Sequence, residues 1–165
     1  MIDVAVQADG WPEHDWQALA ERASTQALTA TPYALLLTSP APIEIAIRLT
    51  SDAEVQVLNR DYRGKDAPTN VLSFPMLERE ELADMPTDRE TLLGDIILAY
   101  ETCAREAAAK NISLEAHATH LIVHGTLHLL GYDHMEDAQA LDMEMRERAA
   151  MAALGLHDPY DDEDD

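Results

Sequence analysis

Apolar and polar positions alternate over residues 2–7 (IDVAVQ) and again over 43–49 (IEIAIRL), the period of a half-buried strand. Between them, Trp16, Leu19, Ala20, Ala23, Ala27 and Leu28 recur at helical spacing. They predict a helix over 12–30, with Pro12 near its start. Pro32, Pro40 and Pro42 punctuate the connection that follows. Ser51 and Glu54 form an S-x-x-E capping box, so a second helix is expected from there to about Tyr62, with Val55, Leu58 and Tyr62 on one face. Residues 63–70 (RGKDAPTN) are turn-like, and 71–74 (VLSF) make a short strand stopped by Pro75. The acidic stretch 76–91, with Pro86 in its middle, reads as an exposed loop with room for a helical turn. A fourth strand is expected over 94–100 (GDIILAY), then helices over about 101–110, 114–130 and 136–154. The order β-α-β-α-β-β-α-α-α, without repeat or internal linker, predicts one α+β domain over 1–157. Its architecture is a mixed four-stranded sheet with packed helices. Residues 158–165 (DPYDDEDD) are expected to be an acidic, disordered tail.

Composition changes this picture little. The 165 residues suit one domain, and 47% apolar with 26% charged residues is ordinary for a globular chain. A single cysteine, Cys103, excludes an intrachain disulfide framework and a Cys-rich zinc site. No stretch is apolar enough to span a bilayer, and the N-terminus has neither a basic start nor an apolar core, so the expected compartment is the cytoplasm. Charge matters more. Eleven Lys and Arg against 32 Asp and Glu give −21, which argues against coating nucleic acid by bulk electrostatics. A small basic site on an acidic body stays open.

The candidate chemistry lies in a run of histidines. Five of the seven fall between 117 and 134, and HGTLHLLGYDH carries His124, His128 and His134. His124 and His128, four apart, share one helix face. Gly131 is placed to end the helix in a left-handed conformation, and the chain then returns His134 to the same point. Three neutral imidazoles suit zinc and leave a fourth position for water, whose pKa a catalytic zinc lowers to about 7. The spacing has the outline of the metzincin motif H-E-x-x-H-x-x-G-x-x-H, but Gly125 stands where that motif has its general base. Asp133 is a candidate base, or equally a group that holds a ligand ring or caps the turn. His120 and His117 are expected to lie around the ligands, or on a hydrated helix face, rather than to ligate.

Arg60, Arg63 and Lys65 lie within six positions at the end of the second helix. They offer a dock for an anionic substrate, against the plainer reading of cations favoured at a helix C-terminus.

Several blocks carry a family resemblance. HGTLHLLGYDH (124–134), LNRDYRGKDAPTNVLSFP (58–75) and LLGDIILA (92–99) resemble signatures of the YbeY family of bacterial metal-dependent endoribonucleases. EAHATHLIVHG (115–125) and ALGLHDPY (153–160) are also similar, and the blocks run in the family's order from about 44 to 160. The resemblance implies a zincin-like metal-bearing helix with His124, His128 and His134 as ligands of one zinc ion, nickel or another divalent metal being open. It implies Arg63 and His124 as catalytic residues. Beside these, the residues themselves point to Arg60 and Lys65 as substrate-binding and to Asp133 and His120 as supports of the ligands. The implied activity is single-strand-specific RNA cleavage in 16S rRNA 3′-end maturation and ribosome quality control. The small ribosomal subunit and assembly factors would be partners, and neither DNA nor membrane is expected. Attack by hydroxide and attack by the RNA 2′-OH both fit. Two rival readings are a zinc peptidase-like hydrolase and a non-catalytic ribosome-assembly protein with a structural metal.

Overall fold

The computed structural model describes residues 2–84 and 89–160. Strands β1 (Ile2–Ala8), β2 (Ile43–Thr50), β3 (Val71–Pro75) and β4 (Thr91–Ala99) form one sheet in the order β1-β2-β4-β3. β2 is parallel to β1 and to β4, and β3 is antiparallel to β4, so the sheet is mixed as expected. Parallel neighbours need crossovers. Helix α1 (Trp16–Thr29) and a 3-10 helix (Pro32–Thr38) supply the first; α2 (Asp52–Arg63), β3 and α3 (Arg79–Ala83) lie along the second. Helices α4 (Tyr100–Ala109), α5 (Leu114–Leu129) and α6 (Asp137–Ala153) complete the α+β domain.

Alternation decides which side chains face the main core. Ile43, Ile45, Ile47 and Leu49 of β2, with Leu93, Ile96 and Leu98 of β4, join Leu19, Ala23 and Leu28 of α1 and Ile122, Leu127 and Leu129 of α5. The opposite face carries a smaller cluster of Val55, Leu72, Ile97 and Ala99, flanked by Leu58 and Phe74. Helix α5 is buried almost all round, its Leu, Ile and Val positions in the core and its histidines and threonines bonded within the protein. Gly125 lets it settle onto β4: a Cβ there would lie 2.9 Å from Ile96 Cγ2.

The differences from expectation have local causes. α1 begins at Trp16 because the Asp15 side chain accepts from the Ala18 N–H at 3.0 Å, while the Pro12 carbonyl, outside the helix, accepts from the Trp16 indole at 2.9 Å. The proline-punctuated connection holds a 3-10 helix whose start is capped by Thr31. Ser51 caps α2 as expected, but the Glu54 carboxylate is taken by Arg48 at 2.6 and 3.0 Å, so only half of the capping box is made. Asn59 fills the inward position expected of Tyr62, which is 72% exposed. β4 starts three residues early, at Thr91, and runs through Gly94. There the backbone takes φ +155°, and a Cβ would strike the Phe74 carbonyl and Leu129. The acidic loop contains α3, whose Leu82 is buried; residues 85–88, with Pro86, lie outside the described residues. Asp158 and Tyr160, placed in the expected tail, are docked on α6; residues 161–165 lie outside the described residues.

Candidate metal centre

The C-terminal end of α5 builds the site. His124 and His128 stand one turn apart with their Nε2 atoms 3.1 Å apart. Gly131, at φ +90°, ends the helix: its N–H bonds to the His128 carbonyl at 3.0 Å and the Tyr132 N–H to the Leu127 carbonyl at 3.1 Å. Those two bonds are the Schellman pattern, in which a residue without a Cβ is favoured. The chain then reverses, and His134 comes back to the pair. One ring nitrogen from each of His124, His128 and His134 lies within 4.8 Å of the others. Nitrogens bound at roughly 2.0–2.1 Å to a tetrahedral ion are about 3.3 Å apart, so the α5 pair already has nearly that spacing. His128 is held neutral: burial, then the neighbouring His124 and His134, lower its pKa to about 4. The donor set and its protonation fit a divalent metal.

Sequence reasoning missed the group that orients His124. Glu147 of α6 is 1% exposed, and its Oε1 accepts from His124 Nδ1 at 3.0 Å and from His120 Nε2 at 2.8 Å. Oε2 accepts from the Tyr160 hydroxyl at 2.7 Å. Burial alone would raise the Glu147 pKa, but the bonds from His120 and His124 prevail and hold it down to about 2. Glu147 stands on the buried stripe Met143, Glu147, Ala150, Met151, and an acid on such a stripe was the available signal. His120 and His117 are buried, not on a hydrated face; His117 bonds to Glu106 at 2.8 Å. Asp133 takes the turn-capping part, accepting from the His134 N–H at 2.7 Å.

A cavity of about 550 Å³ opens beside His128, walled by Pro75, Met76, Arg79, Tyr132 and Asp133. Arg79, also missed, donates to the Gly131 carbonyl at 2.8 and 3.2 Å and lies over the Tyr132 ring. Arg60, Arg63 and Lys65 are exposed at the end of α2. Among the described residues no hydrogen bond or ion pair joins them to the histidines, and Arg60 is paired with Asp61 at 3.2 Å. Tyr62, in the same turn of α2, meets the Phe74 ring at 5.8 Å, and Phe74 precedes the cavity residues Pro75 and Met76 in the chain.

A family model described as Endoribonuclease YbeY matches residues 4–155. The chain belongs to this family. A YbeY endoribonuclease of Sphingopyxis alaskensis is 55% identical over 168 residues, covering 99% of this chain and all of its own. Another, from Rhizorhabdus wittichii, is 57% identical over 164 residues, covering 97% of each chain. A protein of Thermotoga maritima solved in solution shares the fold at a TM-score of 0.54 and 22% identity, over 94% of this chain and 92% of its own. YbeY membership accords with the motif blocks on which the resemblance was drawn. No helix among the described residues is long and apolar enough to cross a membrane.

Proposed function

We propose that the chain is a single-strand-specific, metal-dependent endoribonuclease acting in 16S rRNA 3′-end maturation and ribosome quality control in the cytoplasm, with the small ribosomal subunit and its assembly factors as partners. One observation carries the reading: three ring nitrogens gather within 4.8 Å at the end of α5. Family membership supplies the substrate class. His124, His128 and His134 would hold one ion, zinc by ligand type. When bound, the metal supplies Lewis acidity toward a phosphoryl oxygen and acidifies water.

The chain's own groups do the remaining work. Glu147 keeps the Nδ1 proton of His124 and thereby presents its Nε2 toward His128. Arg79, at the cavity wall, is placed to meet a phosphate of a strand lying beside His128. Arg63, exposed at the end of α2, stabilises charge developing on the oxygens of the phosphate being cleaved. Arg60 and Lys65, exposed beside it, bind neighbouring phosphates.

Two observations weigh against the rivals. A metzincin-type glutamate at 125 would project into β4, where Ile96 leaves no room for a Cβ, so the peptidase base has no place on this helix. A closed structural site needs a fourth protein ligand, and the cluster among the described residues holds three.

Elemental analysis combined with cleavage of a labelled rRNA 3′-end fragment tests the proposal. One metal per chain is expected in the wild type, with cleavage lost in His124→Ala and in Arg63→Ala, the latter keeping its metal. A metal-loaded wild type that does not cleave, or cleavage undiminished in both variants, would overturn it.

A further inference from the structure

Glu147 is hard to explain as a packing residue. Its neighbours on the α6 stripe, Met143, Ala150 and Met151, are at most 1% exposed, and the position suits an apolar side chain. An ionised carboxylate there is tolerated only if every acceptor site facing protein is bonded. The structure meets that demand with three donors, of which two are imidazoles on α5 and one is the Tyr160 hydroxyl.

Tyr160 is itself built into place. Its ring stands edge-on to His120 at 5.8 Å, and the Arg148 guanidinium lies over it at 5.6 Å. Asp158 ties the segment down: its Oδ1 accepts from Arg148 Nε at 3.1 Å and from the Tyr160 N–H at 2.9 Å. The C-terminal segment therefore takes one carboxylate oxygen, Oε2, while His120 and His124 share the other, Oε1.

The consequence for His124 follows from tautomer chemistry. A neutral imidazole carries one N–H, and the other nitrogen holds the lone pair that can bind a metal. With Nδ1–H donated to Glu147 Oε1, the lone pair sits on Nε2, the atom 3.1 Å from His128 Nε2. We propose that Glu147, clasped by His120 and by Tyr160 of the C-terminal segment, is the positioning residue that fixes His124 for the metal, so that this segment sets how tightly the metal is held. The proposal rests on the three-histidine metal reading.

Zinc affinity, measured by competition with a chromophoric chelator, is the first readout. Glu147→Gln keeps the size and removes the charge, and it is expected to weaken zinc by about tenfold or more, the range seen when such supporting partners are lost. Tyr160→Phe removes one hydroxyl from a half-buried side chain and is expected to weaken zinc several-fold with the fold intact. The second readout is the His124 tautomer in the metal-free protein, from long-range 15N–1H spectra. The wild type should show Nδ1–H, and Glu147→Gln should shift the ring toward Nε2–H.

A Glu147→Gln protein that melts lower but keeps its zinc affinity and tautomer would reduce Glu147 to a structural role and overturn the proposal. So would an Nε2–H tautomer in the wild type. If Glu147→Gln does not fold, Tyr160→Phe decides, and an unchanged zinc affinity there overturns the part given to the C-terminal segment. A wild type that takes up no zinc would defeat the three-histidine reading, and the metal-free spectra would still decide whether Glu147 positions His124.

Discussion

At the scale of single residues, Gly125 shows how one position serves both fold and chemistry. It follows the first histidine of the motif and faces β4, with the Ile96 side chain where its own Cβ would be. Gly125→Ala would gain about 1 kcal/mol of helix propensity but overpack the α5–β4 contact, at a typical cost of about 1–3 kcal/mol. The contact is with Cγ2, close to the strand backbone, so relief by rotation is small and the clash should win. Gly125→Ala is expected to lower Tm, and combining it with Ile96→Ala should cost less than the sum of the two changes. Additive losses in denaturant melts would show that Ile96 is not what excludes the methyl group. The three histidines were legible because i, i+4 spacing and a helix-ending glycine are local signals. Glu147 and Arg79 were not, since what each touches is set by contacts to α5 and the turn after it, 23 and 52 residues away in the chain.

At the scale of elements, strands and helices followed their periodicities, and their ends depended on partners elsewhere. α2 and α4 show why. Both follow strands of the parallel pair β2 and β4, so their N-termini come side by side. Asp52 of α2 accepts from the Thr102 N–H at 2.9 Å and the Thr102 hydroxyl at 2.8 Å, while Glu101 of α4 accepts from the Asp52 N–H at 2.7 Å. Each helix thus supplies an acceptor to the other's first turn: Glu101 adds to the Ser51 cap of α2, and Asp52 serves α4, whose own cap position is Ala99 and has no side-chain cap. No local motif announces an exchange of this kind. Asp52→Ala leaves the first turn of α4 without its acceptor, and a loss of about 1–2 kcal/mol is expected in chemical unfolding. A loss no larger than that of an exposed surface aspartate would mean the exchange adds nothing. The early start of β4 has the same origin: pairing with β2 carries the strand back through Gly94, where the sequence alone suggests a stop.

At the scale of the whole molecule, the question is how a chain of net charge −21 holds RNA. The cations near the centre are few. Arg63 and Lys65 are exposed at the end of α2, Arg79 lines the cavity, and Arg60 is partly spent on Asp61. A protein that neutralises Z phosphates of a single strand shows a slope of about −0.7Z in log K against log salt. Three cations and a bound divalent ion, meeting three or four phosphates, give a slope of about −2 to −3. Binding of a short single-stranded rRNA fragment, followed by anisotropy from low to moderate salt, should fall on that shallow line. Arg63→Ala should flatten it by about 0.7 and weaken binding at every salt concentration. A slope steeper than about −5 would require a broad basic surface, which these few cations do not provide, and would move the RNA away from this centre. An unchanged slope in Arg63→Ala would remove that residue from the phosphate path while leaving the three histidines as the place where cleavage is sought.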